Sequence, residues 1–208
     1  MVFVDIQHMG KKGRQSIRDR GAWGDLNGDG SRQYEELEVH FTAILGIKLM
    51  GALYAANYPS IMLTDGRYQA RHHRAGRYSN GQKSLYLALH FNAATGPEVT
   101  RRSGKYGSVF FDHRSSPHNG PKIAGLIADE LLVHLPELST AKARPASPDD
   151  WTRRAYSCIS GLGNNIIGLL LEPAFLDQLD HAPIFDSTGD GMDRIVSAVM
   201  AAINQYNQ

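Results

Sequence analysis

Apolar positions along the chain follow two rhythms. Val2 to Ile6 is a short, β-branched run broken by Gln7-His8-Met9-Gly10, the pattern of a buried strand ending in a loop. Leu37, Phe41, Leu45, Leu49 and Leu53 then recur every four residues, which predicts an amphipathic helix starting near Tyr34. Glu35 and Glu36 fall in its first turn, where the helix dipole favours negative charge. Further strands are expected at Ser60 to Thr64, Ser84 to Asn92, Tyr106 to Asp112 and Ile166 to Leu171, the last closed by Glu172-Pro173. Helices are expected over Arg67 to Arg77, Gly120 to His134 and Arg194 to Tyr206. The polar, glycine-containing stretch Lys11 to Gln33 and the Pro-containing stretch Ala141 to Trp151 read as loops. Strands alternating with helices, with no repeat or linker between them, predict one α/β domain over residues 1–208, a twisted and mostly parallel sheet flanked by helices.

Composition narrows the function classes. Lys and Arg number 22 against 21 Asp and Glu, and a net charge of +1 gives no field to gather nucleic acid or an anionic membrane surface. The longest apolar run, Ile166 to Leu171, is far below the roughly 20 residues of a membrane span. Cys158 is the sole cysteine, so an intramolecular disulfide and a Cys-based zinc cluster are excluded, and any metal is left to His and carboxylates. No obligate protein partner is evident. The N-terminus reaches Lys11-Lys12 without an apolar segment or a small-residue cleavage site, so the expectation is a protein made in the cytoplasm without a signal peptide.

Within this frame three side chains stand at element ends: His8 after the first strand, Glu36 at the start of the first helix, and His90 near the end of a central strand. Ligands gather at the carboxyl ends of parallel strands. Two imidazoles and a carboxylate form a catalytic zinc set with a position left for water. Glu172 is a single charge closing an apolar run, and an acid at such depth is costly unless paired or functional. Beside an activated water it serves as acid and base. Asn92, on the strand face of His90, and Arg71 and Arg74, on the basic helix, are candidates for holding substrate. Cys158 reads as a small buried hydrophobe.

The ordered set resembles the zinc-dependent N-acetylmuramoyl-L-alanine amidases of bacterial cell-wall hydrolases and phage endolysins. Val4-Asp5-Ile6-Gln7-His8-Met9-Gly10 looks like the opening strand and metal histidine of that family. Glu36-Leu-Glu-Val-His40 resembles its glutamate segment, Leu89-His90-Phe91-Asn92-Ala93 its second histidine motif, and Leu170-Leu171-Glu172-Pro173-Ala174-Phe175-Leu176 the strand with its catalytic glutamate. Ile6-Gln7 stands where the family usually has Pro-Gly, and Phe91 where it has a small residue. The resemblance implies one zinc on His8, Glu36 and His90, Glu172 as catalytic acid and base, and peptidoglycan as substrate, cut at the amide between muramic acid and L-alanine. Without an export segment, it also implies a phage-type endolysin, made in the host cytoplasm and acting on the wall after release. A zinc peptidase of related architecture is the nearest alternative enzyme.

A second motif competes for the same carboxylate. Asp25-Leu-Asn27-Gly-Asp29-Gly30-Ser-Arg-Gln-Tyr-Glu-Glu36 matches a twelve-residue EF-hand loop, with Glu36 at its closing position. Gly21-Ala-Trp-Gly24 before it is a poor incoming helix. Glu36 is therefore assigned to zinc. Asp25, Asn27 and Asp29 are left either as a partial calcium loop or as a metal-free turn. A calcium-binding module without enzymatic chemistry is the rival from another class.

Overall fold

The first strand is an interior strand of the sheet, one in from its edge. A computed structural model describes residues 1–7, 38–64, 66–93, 104–112, 114, 118–150 and 152–208. In it, β1 (Val2–Ile6) lies between β2 (Ser60–Leu63) and β3 (Ser84–Leu89), and the sheet continues through β6 (Ile166–Glu172) to β4 (Tyr106–Phe111) and β5 (Thr140–Pro145). β2, β1, β3 and β6 are mutually parallel, whereas β4 runs antiparallel to β6 and parallel to β5. The expectation of a mostly parallel α/β sheet holds, with one reversal at the β6–β4 seam.

Both faces are covered, which is why the inner strands read as continuous apolar runs. Val2, Val4, Leu85, Leu87, Leu89, Leu169 and Leu171 pack with α1 (Glu38–Ala55), α3 (Asn119–His134) and α6 (Gly191–Tyr206). Phe3, Tyr86, Ala88, Phe110 and Leu170 face α2 (Tyr68–Ser79) and α4 (Arg153–Ile159). A short α5 (Ala182–Phe185) precedes α6, with the Asp186 carboxylate accepting from the Thr188 N–H and hydroxyl in the turn between them. No helix among the described residues is long and apolar enough to cross a membrane.

Two glycines let helices approach the strands closely. A Cβ at Gly46 of α1 would stand 2.5 Å from Ile6 Cδ1, and one at Gly168 of β6 would stand 2.7 Å from the Ile159 carbonyl oxygen of α4. At Gly168 the clash is with backbone, so α4 seats on β6 only because that position lacks a side chain, whereas at Gly46 the Ile6 side chain would have to shift.

Part of the expected loop Ala141 to Trp151 is instead the strand β5. It is an edge strand paired only with β4 and half-exposed along its length, so it carries neither the apolar run of a central strand nor a clean alternation, and Pro145 falls at its last position. The helix expected near Tyr34 is described from Glu38 onward. The loop Lys11 to Gln33 lies outside the described residues.

Candidate active site

β3 and β6 run side by side past their ends. The Leu89–Leu171 pair is followed by a hydrogen bond from His90 N to Leu171 O (2.9 Å), then by an isolated bridge between Asn92 and Phe175. In parallel strands, residues at matching register point to the same face. His90, Asn92 and Glu172 are thus brought together at the carboxyl edge, on the side covered by α4. The Asn92 amide donates to Glu172 Oε2 at 3.1 Å. Asn92, expected to hold substrate, is engaged with the candidate acid.

The carboxylate that meets His90 comes from α1, and it is Glu38. Its Oε1 lies 2.8 Å from His90 Nδ1 and accepts the Phe91 N–H at 3.0 Å. Glu36, the expected ligand, lies outside the described residues, as does His8. The helical period explains why Glu38 takes this place. Glu38 is in line with the buried Thr42, Leu45 and Leu49, four, seven and eleven residues on, so the stripe that faces the sheet carries Glu38 toward the edge of β3. The sequence held this signal: a charge extending an apolar stripe is out of place unless the site uses it.

Burial and the negative charge of Glu38 push the Glu172 carboxyl up to about 7, with the Asn92 hydrogen bond opposing. A carboxyl poised near neutrality, beside a second carboxylate and an imidazole, suits proton transfer. The donor set also fits a divalent metal: one imidazole nitrogen and one carboxylate oxygen converge at 2.8 Å, and β1 ends two residues before the third candidate, His8. No group of three or more His, Cys, Asp or Glu able to hold a metal occurs among the described residues.

The two basic candidates separate. Arg71 is 2% exposed, and its guanidinium pairs with Asp5 Oδ1 at 2.5 Å while donating to the Ile6 carbonyl at 3.3 Å. The Tyr86 hydroxyl and the Gln7 amide also bind the Asp5 carboxylate. Arg71 is therefore corrected from a substrate contact to an internal brace for the end of β1. The basic helix thus carries a buried cation, because Arg71 meets an acid that only the fold supplies. Arg74, one turn along α2, is half-buried.

Two further residues flank the site. His181 is fully buried, and its Nδ1 accepts the Phe175 N–H at 3.0 Å, bracing the segment that follows Glu172. Burial lowers the His181 imidazole to about 4, so it is neutral near pH 7. Cys158, read as a buried hydrophobe, is buried and lies 3.8 Å from His90 Nε2. An open groove between α2 and the Ser160–Gly163 turn contains none of Glu38, His90 or Glu172. The partial calcium ligands Asp25, Asn27 and Asp29 lie outside the described residues.

No protein-family model matches the sequence. No curated protein matches it. Solved structures do. N-acetylmuramoyl-L-alanine amidase AmiC2 of Nostoc punctiforme superposes with a TM-score of 0.72 at 18% identity, over 100% of this chain and 96% of that one. The catalytic domain of CwlV, an N-acetylmuramoyl-L-alanine amidase from Bacillus (Paenibacillus) polymyxa, gives 0.68 at 14% identity over 99% and 97%. The CwlD amidase from Clostridioides difficile, solved in complex with the GerS lipoprotein, gives 0.68 at 16% identity over 99% and 97%. At these identities the likeness is one of architecture, and it runs from end to end: the chain has the fold of the N-acetylmuramoyl-L-alanine amidase domains.

Proposed function

We propose that this chain is a zinc-dependent hydrolase of the amide joining N-acetylmuramic acid to L-alanine in peptidoglycan. The observation that carries the reading is the convergence of His90, Glu38 and Glu172 at the carboxyl edge of a sheet whose fold is shared with such amidases over their whole length. His90 and Glu38 hold the metal together with His8, with Glu38 replacing Glu36 in the expected ligand set. Zinc bound there would supply Lewis acidity toward the scissile carbonyl and toward water. Glu172, held by Asn92, takes a proton from the attacking water as its oxygen bonds to the amide carbon. The same carboxyl then returns the proton to the nitrogen as the C–N bond breaks, releasing a free lactyl carboxylate and the L-alanine amine. Arg74 is the basic side chain of α2 proposed to face the carboxylates of the peptide stem. Digestion of purified sacculi tests the reading: new L-alanine amino groups without new reducing sugars are expected, and new termini elsewhere in the peptide would identify a peptidase instead.

A second metal fits beside this reading. With Glu38 proposed as the carboxylate on zinc, the sequence motif running from Asp25 to Glu36 no longer competes for that ligand. Calcium titration of the zinc-loaded protein, with and without Glu36→Gln, should show one calcium site that the substitution weakens. Calcium binding with no zinc at all would instead support the non-enzymatic module.

A further inference from the structure

The inference rests on the metal reading of His90 and concerns what holds that imidazole. Its Nδ1 faces Glu38, while 3.8 Å from its Nε2 stands the sulfur of Cys158. The sulfur is placed from several sides. Gly168 lets α4 close onto β6, the His72 Nε2–H donates to the Cys158 carbonyl at 2.8 Å, and the thiol donates to the Arg154 carbonyl at 3.3 Å. With its hydrogen directed to the Arg154 carbonyl, the sulfur is left to act as an acceptor toward His90 Nε2. Metal-binding histidines almost always donate their second ring N–H to a carboxylate, a carbonyl or water, which fixes the tautomer and the ring plane. Here a thiol occupies that place.

We propose that Cys158 is a positioning residue for His90, accepting its Nε2–H so that Nδ1 presents a lone pair to the point shared with Glu38. Cys158 is not itself a ligand in this arrangement, because it meets the ring edge opposite the one that faces Glu38.

Zinc affinity measured by chelator competition on the wild type, Cys158→Ser and Cys158→Ala tests this, alongside thermal melts of the zinc-free proteins and nitrogen–proton correlation NMR of the His90 ring. Removing such a partner typically weakens metal binding by about 10- to 100-fold. The expected result is a loss of about tenfold or more in Cys158→Ala, substantial recovery in Cys158→Ser, whose hydroxyl also accepts, and a zinc-bound wild type with its ring proton on Nε2. A wild type that binds zinc with its ring proton on Nδ1, or a Cys158→Ala that binds within about twofold of wild type, overturns the role of Cys158 alone. A wild type that binds no zinc overturns the site reading beneath it. If Cys158→Ala does not fold, the Cys158→Ser affinity and the Nε2–H signal decide: a serine variant tenfold weaker than wild type, or a signal that does not move on the Cys158→Ser substitution, counts against the proposal.

Discussion

Two acid clusters stand side by side along one edge of the sheet, and they differ in what faces the acid. Asp5, opposite Ala88 and so two residues short of His90 in register, meets Arg71, Tyr86 and Gln7. Glu172 meets Asn92 and feels the charge of Glu38. Burial raises both carboxyls, but Arg71 opposes the shift at Asp5, whereas Glu38 reinforces it at Glu172. The first acid is neutralised inside the fold and fixes the end of β1. The second is left close to its protonation point, where a proton or a cation changes its state. The same desolvation is structural beside a guanidinium and chemical beside a second carboxylate.

Substitutions that exchange these roles should have unequal effects. Glu172→Ala is expected to lower the rate of sacculus digestion by roughly 10³-fold, the range of general acid–base catalysis, while zinc content and thermal stability stay near wild type. Arg71→Ala is expected to do the reverse at first: it strands Asp5 as a buried charge and costs roughly 3 kcal/mol of stability, measured by urea unfolding. An Arg71→Ala protein as stable as wild type but inactive would move Arg71 back among the substrate contacts.

The pH dependence of metal-free protein sharpens the contrast. Glu172 ionises at about 7 in the fold against an ordinary 4.5, so its protonated form is the one that folding favours. That stability is fully present below pH 4.5 and is lost as pH rises to about 7. Relative to wild type, Glu172→Gln should therefore gain stability across this window, by roughly 2 kcal/mol after allowance for its part exposure, and level off above it. His181, lowered to about 4 from 6.5, loses stability as pH falls through that interval, but it is present in both proteins and cancels in the difference. Parallel curves for the two proteins would contradict the assignment. The smallest effect expected is that of Asn92→Ala: loss of its hydrogen bond should raise Glu172 further and move the acidic limb of the pH–rate profile upward.

The elements buried on both faces were legible from sequence, because β1, β3 and β6 must be apolar throughout. β5 was not, since an edge strand with one neighbour and half-exposed side chains leaves no such trace. His90 and Glu172 were legible as polar residues closing apolar runs. Glu38 was legible only through the angle of the buried stripe, as a charge in line with Thr42, Leu45 and Leu49. Arg71 and Cys158 were beyond sequence reasoning for a different cause: their partners Asp5 and His90 are 66 and 68 residues away, and only the closure of α2 and α4 on the sheet joins them.

The central claim is that Glu38 and His90 share a metal beside Glu172, and zinc stoichiometry in paired variants tests it most directly. Elemental analysis should find one zinc per chain in the wild type and in Glu36→Gln, and little in a folded Glu38→Gln. Zinc retained in Glu38→Gln and lost in Glu36→Gln would contradict the account.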